Sequence, residues 1–164
     1  MSSHNTIIIN WSGPFTYEDL ENNPDESNGL YLATGKLKNQ RKEDEIKYCG
    51  ITEGSFFKRL KEHHKIGKIT QNQQFWLGKV IFPENASRHY LEIAESLIIY
   101  FWQPELNTRK KVFPPKPTTV INYWFKKNGE PRFNQKAIYK DLDDVLSWDG
   151  DLWRTGNLTV YSND

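Results

Sequence analysis

The sequence predicts an α+β fold in which two strands, a helix, a third strand and a long helix follow one another, with an extension at each end. Three observations carry this expectation. Two short triplets, "GLY" at 29–31 and "YCG" at 48–50, flank a very polar run, the pattern of two strands around a charged turn. The segment 87–104 holds a helical apolar stripe between a capping serine and a terminating proline. After residue 117 the pattern changes to strand-like runs punctuated by Asn-Gly and Asp-Gly pairs. With 164 residues, 37% hydrophobic and 14% aromatic, the chain is long and apolar enough for one folded domain without staples.

The elements read in order as follows. "TIIINW" is a short apolar run, a strand or an anchoring segment. Thr16 caps a short acidic helix in "TYEDLENNPDESN", which ends at Pro24. "GLYLA" (29–33) and "IKYCGI" (46–51) are two strands joined by a long charged loop. Alternation puts Gly29, Tyr31 and Ala33 on one face of the first, and Ile46, Tyr48 and Gly50 on one face of the second. A suitable register brings both tyrosines to the same side. In "EGSFFKRLKEHHK" (53–65) Ser55 caps a helix with Phe56 and Leu60 at apolar spacing. "QFWLGKVIF" (74–82) is a strand closed by Pro83. The helix from Ser87 to Pro104 carries the stripe Leu91, Ala94, Ile98, Ile99 and Trp102. The organisation expected is an N-terminal extension (1–27), a core (28–111), and a C-terminal extension (112–164) of β-hairpins packed on that core.

Charge is unevenly distributed. Residues 29–140 hold 21 of the 22 Lys and Arg but 10 of the 21 Asp and Glu, a net +11, while the flanks carry −10. A basic middle between acidic ends points to a polyanionic partner; the plain alternative is a solvated lysine surface. The N-terminus lacks a signal-peptide pattern, no apolar run approaches a membrane span, and the one cysteine cannot form an internal disulfide. A cytoplasmic protein without membrane contact is expected.

Four positions stand out. Glu95 projects from the apolar stripe of the long helix, where a carboxylate is costly unless paired or bound to a cation. It reads either as an acid paired with a nearby Lys or Arg, or as a ligand for a hard divalent ion such as Mg²⁺. Arg59 and His63 lie four apart on the expected helix: a phosphate grip beside a proton carrier, or simply part of a solvated face. Asn107, by itself, is a turn-former after a helix. Cys49 reads as a small core residue. Walker, G-x-S-x-G and H-E-x-x-H motifs are absent, and "HH" at 63–64 lacks the companions a zinc site needs.

Taken in order, these pieces resemble the GIY-YIG nuclease superfamily over about residues 28–108. "GLY" matches the first signature triplet with Leu30 for Ile, and "YCG" the second with Cys49 for Ile. Arg59, His63, Glu95 and Asn107 follow in the family's order; the loop between the triplets is longer than the family's. The resemblance implies a small three-stranded sheet flanked by helices and a divalent-metal-dependent DNA endonuclease, of restriction or defence type. It implies Mg²⁺ or Mn²⁺ on Glu95 and phosphate held by Arg59. It makes Tyr31 the proton acceptor, with its phenol lowered by metal and Arg59 and its proton passed on to His63, while Tyr48 hydrogen-bonds the phosphate or supports Tyr31. Asn107 would fix the loop after the metal helix.

Phosphate contacts are expected from Lys36, Lys38, Arg41 and Lys42 in the inter-strand loop, from Lys58, and from Arg109, Lys110 and Lys111 after the long helix. The partner expected is DNA, with RNA open, and the protein a monomer or homodimer. The competing readings are a non-cleaving nucleic-acid-binding module, a nuclease toxin or effector, and a generic α+β interaction domain.

Overall fold

The computed structural model describes residues 4–41, 45–132 and 143–158. Eleven elements follow in chain order: β1 (Asn5–Phe15), α1 (Tyr17–Glu21), β2 (Ser27–Leu37), β3 (Glu45–Ser55), α2 (Phe56–Lys61), a 3-10 turn (Ile66–Lys68), β4 (Ile69–Phe82), α3 (Arg88–Trp102), β5 (Thr118–Phe125), β6 (Val145–Trp148) and β7 (Trp153–Gly156). All seven strands form one sheet in the order β3-β2-β4-β1-β5-β6-β7.

This overturns the expected architecture. The chain does not build a small three-stranded sheet flanked by helices; it builds a mostly β, seven-stranded mixed sheet with three helices, two of them of five and six residues. The reason lies at the two ends. "TIIINW" is part of an 11-residue strand that inserts between β4 and β5. It pairs antiparallel with β4 and parallel with β5, whose residues lie more than a hundred positions away. Ile7, Ile9 and Trp11 are fully buried there. Leaving those side chains in a peripheral extension would forgo about 1.5–3 kcal/mol of burial for each large apolar group.

Two layers of core sit on opposite faces of the sheet. α3 covers one face, burying Leu91, Ala94, Leu97 and Ile98 against Ile9, Trp11, Leu30, Leu32, Cys49 and Trp76. α1 and α2 cover the other, where Leu20, Phe56 and Leu60 pack on Tyr31, Ala33, Phe75 and Leu77. β2, shielded on both faces, is buried without a break from Gly29 to Gly35. α1 is held by a capping box between Thr16 and Asp19, α2 by Ser55 accepting from the Lys58 amide. α3 ends where Gln103 takes a left-handed conformation before Pro104. The Asp149–Gly150 turn joins β6 to β7 as a hairpin, with Gly150 at φ +102°. Among the described residues no helix is long and apolar enough to cross a membrane.

At the centre, the Trp11 ring lies over Gly78, where an added Cβ would sit 2.8 Å from it. It stacks on Trp124 at 5.6 Å and donates its indole N–H to Asn122 Oδ1 at 2.8 Å. Truncation of this fully buried indole leaves a cavity and an uncompensated Asn122. Trp11→Ala is therefore expected to cost about 3–5 kcal/mol, read as a fall in the urea midpoint; a shift of a few tenths would show that β1 is peripheral to the core.

Candidate functional site

α2 and α3 lie on opposite sides of the sheet, so their side chains can meet only around an edge. β3 is that edge. The β2–β3 register sets Tyr31 opposite Gly50 and Ala33 opposite Tyr48, which puts both tyrosines on the α2 side. Gly50 is required there: a Cβ built on it would stand 2.4 Å from the Tyr31 hydroxyl oxygen. The Tyr31 ring thus crosses the backbone of β3 toward the edge, and the two tyrosine rings stack at 6.1 Å.

The segment after α3 closes over the same edge. Leu106 donates its amide to the Lys47 carbonyl at 2.8 Å. Asn107 makes a two-point clamp on Cys49, its Oδ1 accepting from the Cys49 amide and its Nδ2 donating to the Cys49 carbonyl, both at 2.9 Å. Glu105 receives the buried Lys47 ammonium at 3.0 Å and the Gln40 amide at 2.9 Å. Backbone groups that an edge strand would leave open are thereby paired.

A cleft of about 730 Å³ lies along this edge. Tyr31, Tyr48, Arg59, His63, Glu95 and Asn107 all line it, together with Arg109 and Lys110. The structure therefore brings the six expected catalytic positions to one place, from β2, β3, α2, the turn after α2, α3 and the loop after α3. Lys36, Lys38, Arg41, Lys58 and Lys111 are not among the described residues lining it. Lys42 lies outside the described residues. Lining residues that carry no distinctive sequence signal are Lys65, Arg88, Glu92 and Thr108. Lys65 donates to Thr108 at 3.1 Å and stands 6.0 Å from the centre of the Tyr48 ring, bridging the two walls.

One expectation needs correction. Arg59 and His63 do not share a helix: α2 ends at Lys61, and Glu62 leaves the helical conformation at φ −95°, ψ 2°. The turn lets the His63 imidazole enter the buried niche beside Tyr48, with ring centres 4.5 Å apart, while Arg59 stays exposed on the helix. The Tyr31 phenol, expected to be lowered by a metal together with Arg59, stands raised in the chain by itself. Burial raises it well above its ordinary value, the neighbouring Tyr48 and Glu95 add to the rise, and Arg59 offsets only part of it. Burial likewise raises Tyr48.

His63 moves in the opposite sense. Burial, followed by the charges of Arg59, His64 and Lys65, depresses its imidazolium to about 4. At neutral pH it is a neutral base. Tyr31 Oη and His63 Nδ1 are both buried without a hydrogen-bond partner among the described residues. Six other buried polar atoms among the described residues, all outside the cleft, share this state, so it does not by itself mark a ligand site.

Glu95 is 13% exposed and its Oε1 accepts from Lys110 Nζ at 2.6 Å. Among the described residues no group of three or more His, Cys, Asp or Glu converges, so a self-contained metal cage is not built. The donor set suits a Mg²⁺-type ion that takes one or two carboxylates and completes its sphere with water and phosphate oxygens. Glu95 and Glu92, three residues apart on α3, both face the cleft, Glu92 being paired with Arg88 at 3.0 Å.

Asn107→Ala removes both hydrogen bonds to Cys49 and is expected to cost about 1–3 kcal/mol, with selective loss of hydrogen-exchange protection at the Cys49 amide. Unchanged protection would show that the clamp is incidental. The His63 ring should titrate by NMR with a midpoint near 4. Unfolded His titrates near 6.5, so only the unfolded chain takes up this proton in between. Stability present above about 6.5 is lost as the pH falls toward 4, and His63→Gln should flatten that slope.

Comparison of the chain with protein-family models, curated proteins and solved structures finds no match.

Proposed function

We propose that the protein is a divalent-metal-dependent nuclease whose substrate is DNA or RNA. The observation that carries this reading is the convergence, on one cleft, of Arg59, Glu95, neutral His63 and two tyrosines with the cations Lys65, Arg109 and Lys110. Cations that can hold a phosphate, a carboxylate that can take a hard cation and groups that can move a proton are what phosphodiester hydrolysis needs.

In this mechanism Arg59 and Arg109 hold the scissile phosphate, whose two free oxygens match the planar donor fork of a guanidinium. A bound Mg²⁺ or Mn²⁺ would supply Lewis-acid polarisation of the phosphoryl group. Glu95 is the side chain that would hold it, with Glu92 beside it, and Lys110 would pass from Glu95 to a phosphate oxygen. Water attacks phosphorus in line. Its proton goes to the Tyr31 oxygen and onward to neutral His63; the two side chains are not hydrogen-bonded in the free protein, so the relay requires them to close on each other when substrate binds. The P–O3′ bond breaks and the leaving O3′ takes a proton from solvent, giving a 3′-hydroxyl and a 5′-phosphate. Tyr48 packs the His63 ring in place, and Asn107 holds the loop bearing Arg109 and Lys110 over the site.

A second reading, a nucleic-acid-binding module without cleavage, is favoured by the Lys110–Glu95 ion pair, which leaves the key carboxylate neutralised by the chain itself. A plasmid-relaxation assay with and without Mg²⁺ separates the two. Glu95→Ala is expected to lower metal-dependent nicking at least a hundredfold with the fold and plasmid binding retained, a loss in the range found when one strong transition-state contact is removed. Tyr31→Phe should be similarly impaired. Undiminished nicking by Glu95→Ala would remove the metal assignment, and no nicking by the wild-type chain would leave the binding-module reading.

A further inference from the structure

The loop that leaves the cleft, 109–117 ("RKKVFPPKP"), carries four cations, no acid and the two most exposed large apolar side chains among the described residues: Val112 at 77% and Phe113 at 81%. Exposed single apolar residues are ordinary; an adjoining pair at the tip of a fixed basic loop is not. The loop is anchored at both ends. Gln103 Nε2 donates to the Tyr100 carbonyl at 2.7 Å and to the Lys111 carbonyl at 3.0 Å, tying the entry to the last turn of α3. At the exit the Asn5 amide donates to the Pro117 carbonyl at 3.3 Å, tying it to β1. Pro114 and Pro115 restrict the backbone between the anchors. Phe113 is thus held out in solvent three residues beyond Lys110, itself in the cleft lining.

We infer that Phe113 is a base-contacting side chain: it stacks on a nucleobase of the strand whose phosphate lies in the cleft. The flanking Lys111 and Lys116 engage neighbouring phosphates, and Val112 adds apolar contact at the sugar. The inference rests on the nuclease reading above and sharpens its substrate: a base beside the scissile phosphate is unpaired, or is unstacked on binding. An aromatic ring serves this task because every base has a π-face, so affinity is gained with little sequence preference. A loop whose backbone is tied at Lys111 and Pro117 loses little backbone freedom on binding.

The test uses the full chain in Ca²⁺ without Mg²⁺, with a fluorescein-labelled single strand and a 20-base-pair duplex carrying 2-aminopurine at successive positions. Wild type is expected to bind with a steep salt dependence and to raise 2-aminopurine emission at one position of the duplex. Phe113→Ala is expected to bind the single strand about 10-fold or more weakly and to abolish the emission rise. Phe113→Trp should retain the affinity, which separates stacking from a general effect on the loop. With so exposed a side chain, the thermal midpoint should be unchanged in both variants. Wild type that binds neither oligonucleotide would overturn the nucleic-acid reading itself. Wild type that binds, with Phe113→Ala equal to it in affinity and emission, would overturn this inference alone. Vesicles of phosphatidylserine and phosphatidylcholine form the second arm. Sedimentation of wild type with them, lost in Phe113→Ala while oligonucleotide affinity is unchanged, would reassign the loop to a membrane surface and overturn the inference equally.

Discussion

Everything at the cleft depends on how the outer edge of β3 is closed. The sheet separates α2 from α3, and the two core layers on its faces share no route through it. Asn107 solves this by giving the Cys49 amide and carbonyl the partners that another strand would have supplied. The clamp draws the end of α3 and the loop behind it around the edge. Glu95 and Lys110 from one side then face Tyr31, Tyr48, Arg59 and His63 from the other. The rest of the edge is tied by the Lys47–Glu105 ion pair, whose almost fully buried ammonium would be left uncompensated without its partners.

The electrostatics of the cleft follow from the same arrangement. Depth beneath the edge desolvates Tyr31 and His63, which raises the phenol and depresses the imidazolium, so both are neutral at physiological pH. The charged groups stand above them: Arg59, Lys65 and Arg109 among the cations, Glu95 and Glu92 among the carboxylates. Two neutral groups thus lie beneath a charged rim, the arrangement on which the proposed nuclease reading rests. The position of Gly50 permits this arrangement. With any larger residue there, the Tyr31 ring would be displaced from the path it takes beneath β3.

Much of the local structure was legible in the chain. Thr16 and Ser55 do cap helices, the segments around "GLY" and "YCG" are paired strands, and α3 buries Leu91, Ala94, Ile98 and Ile99 as its periodicity indicates. The extent of the sheet was not legible. "TIIINW" and "TTVINYWF" each read as a strand, but their parallel pairing spans more than a hundred residues and leaves no local mark in either segment. The end of α2 was also misread. "KRLKE" has good helix formers, but the helix stops at Lys61 short of the two histidines, which are weaker formers, and the His63 ring packs beside Tyr48.

The sequence by itself determined which chemical groups are available and in what order: two tyrosines on one face of a hairpin, an arginine, a histidine, an acid out of place on an apolar stripe, and an asparagine behind it. These are visible because caps, turns and alternation act over a few residues. Only the tertiary structure decided that those groups share one cleft, that Glu95 is matched by Lys110, and that Tyr31 and His63 are neutral. Proximity across a sheet edge and the loss of water around a side chain depend on pairings between distant segments, and no short stretch of sequence contains them.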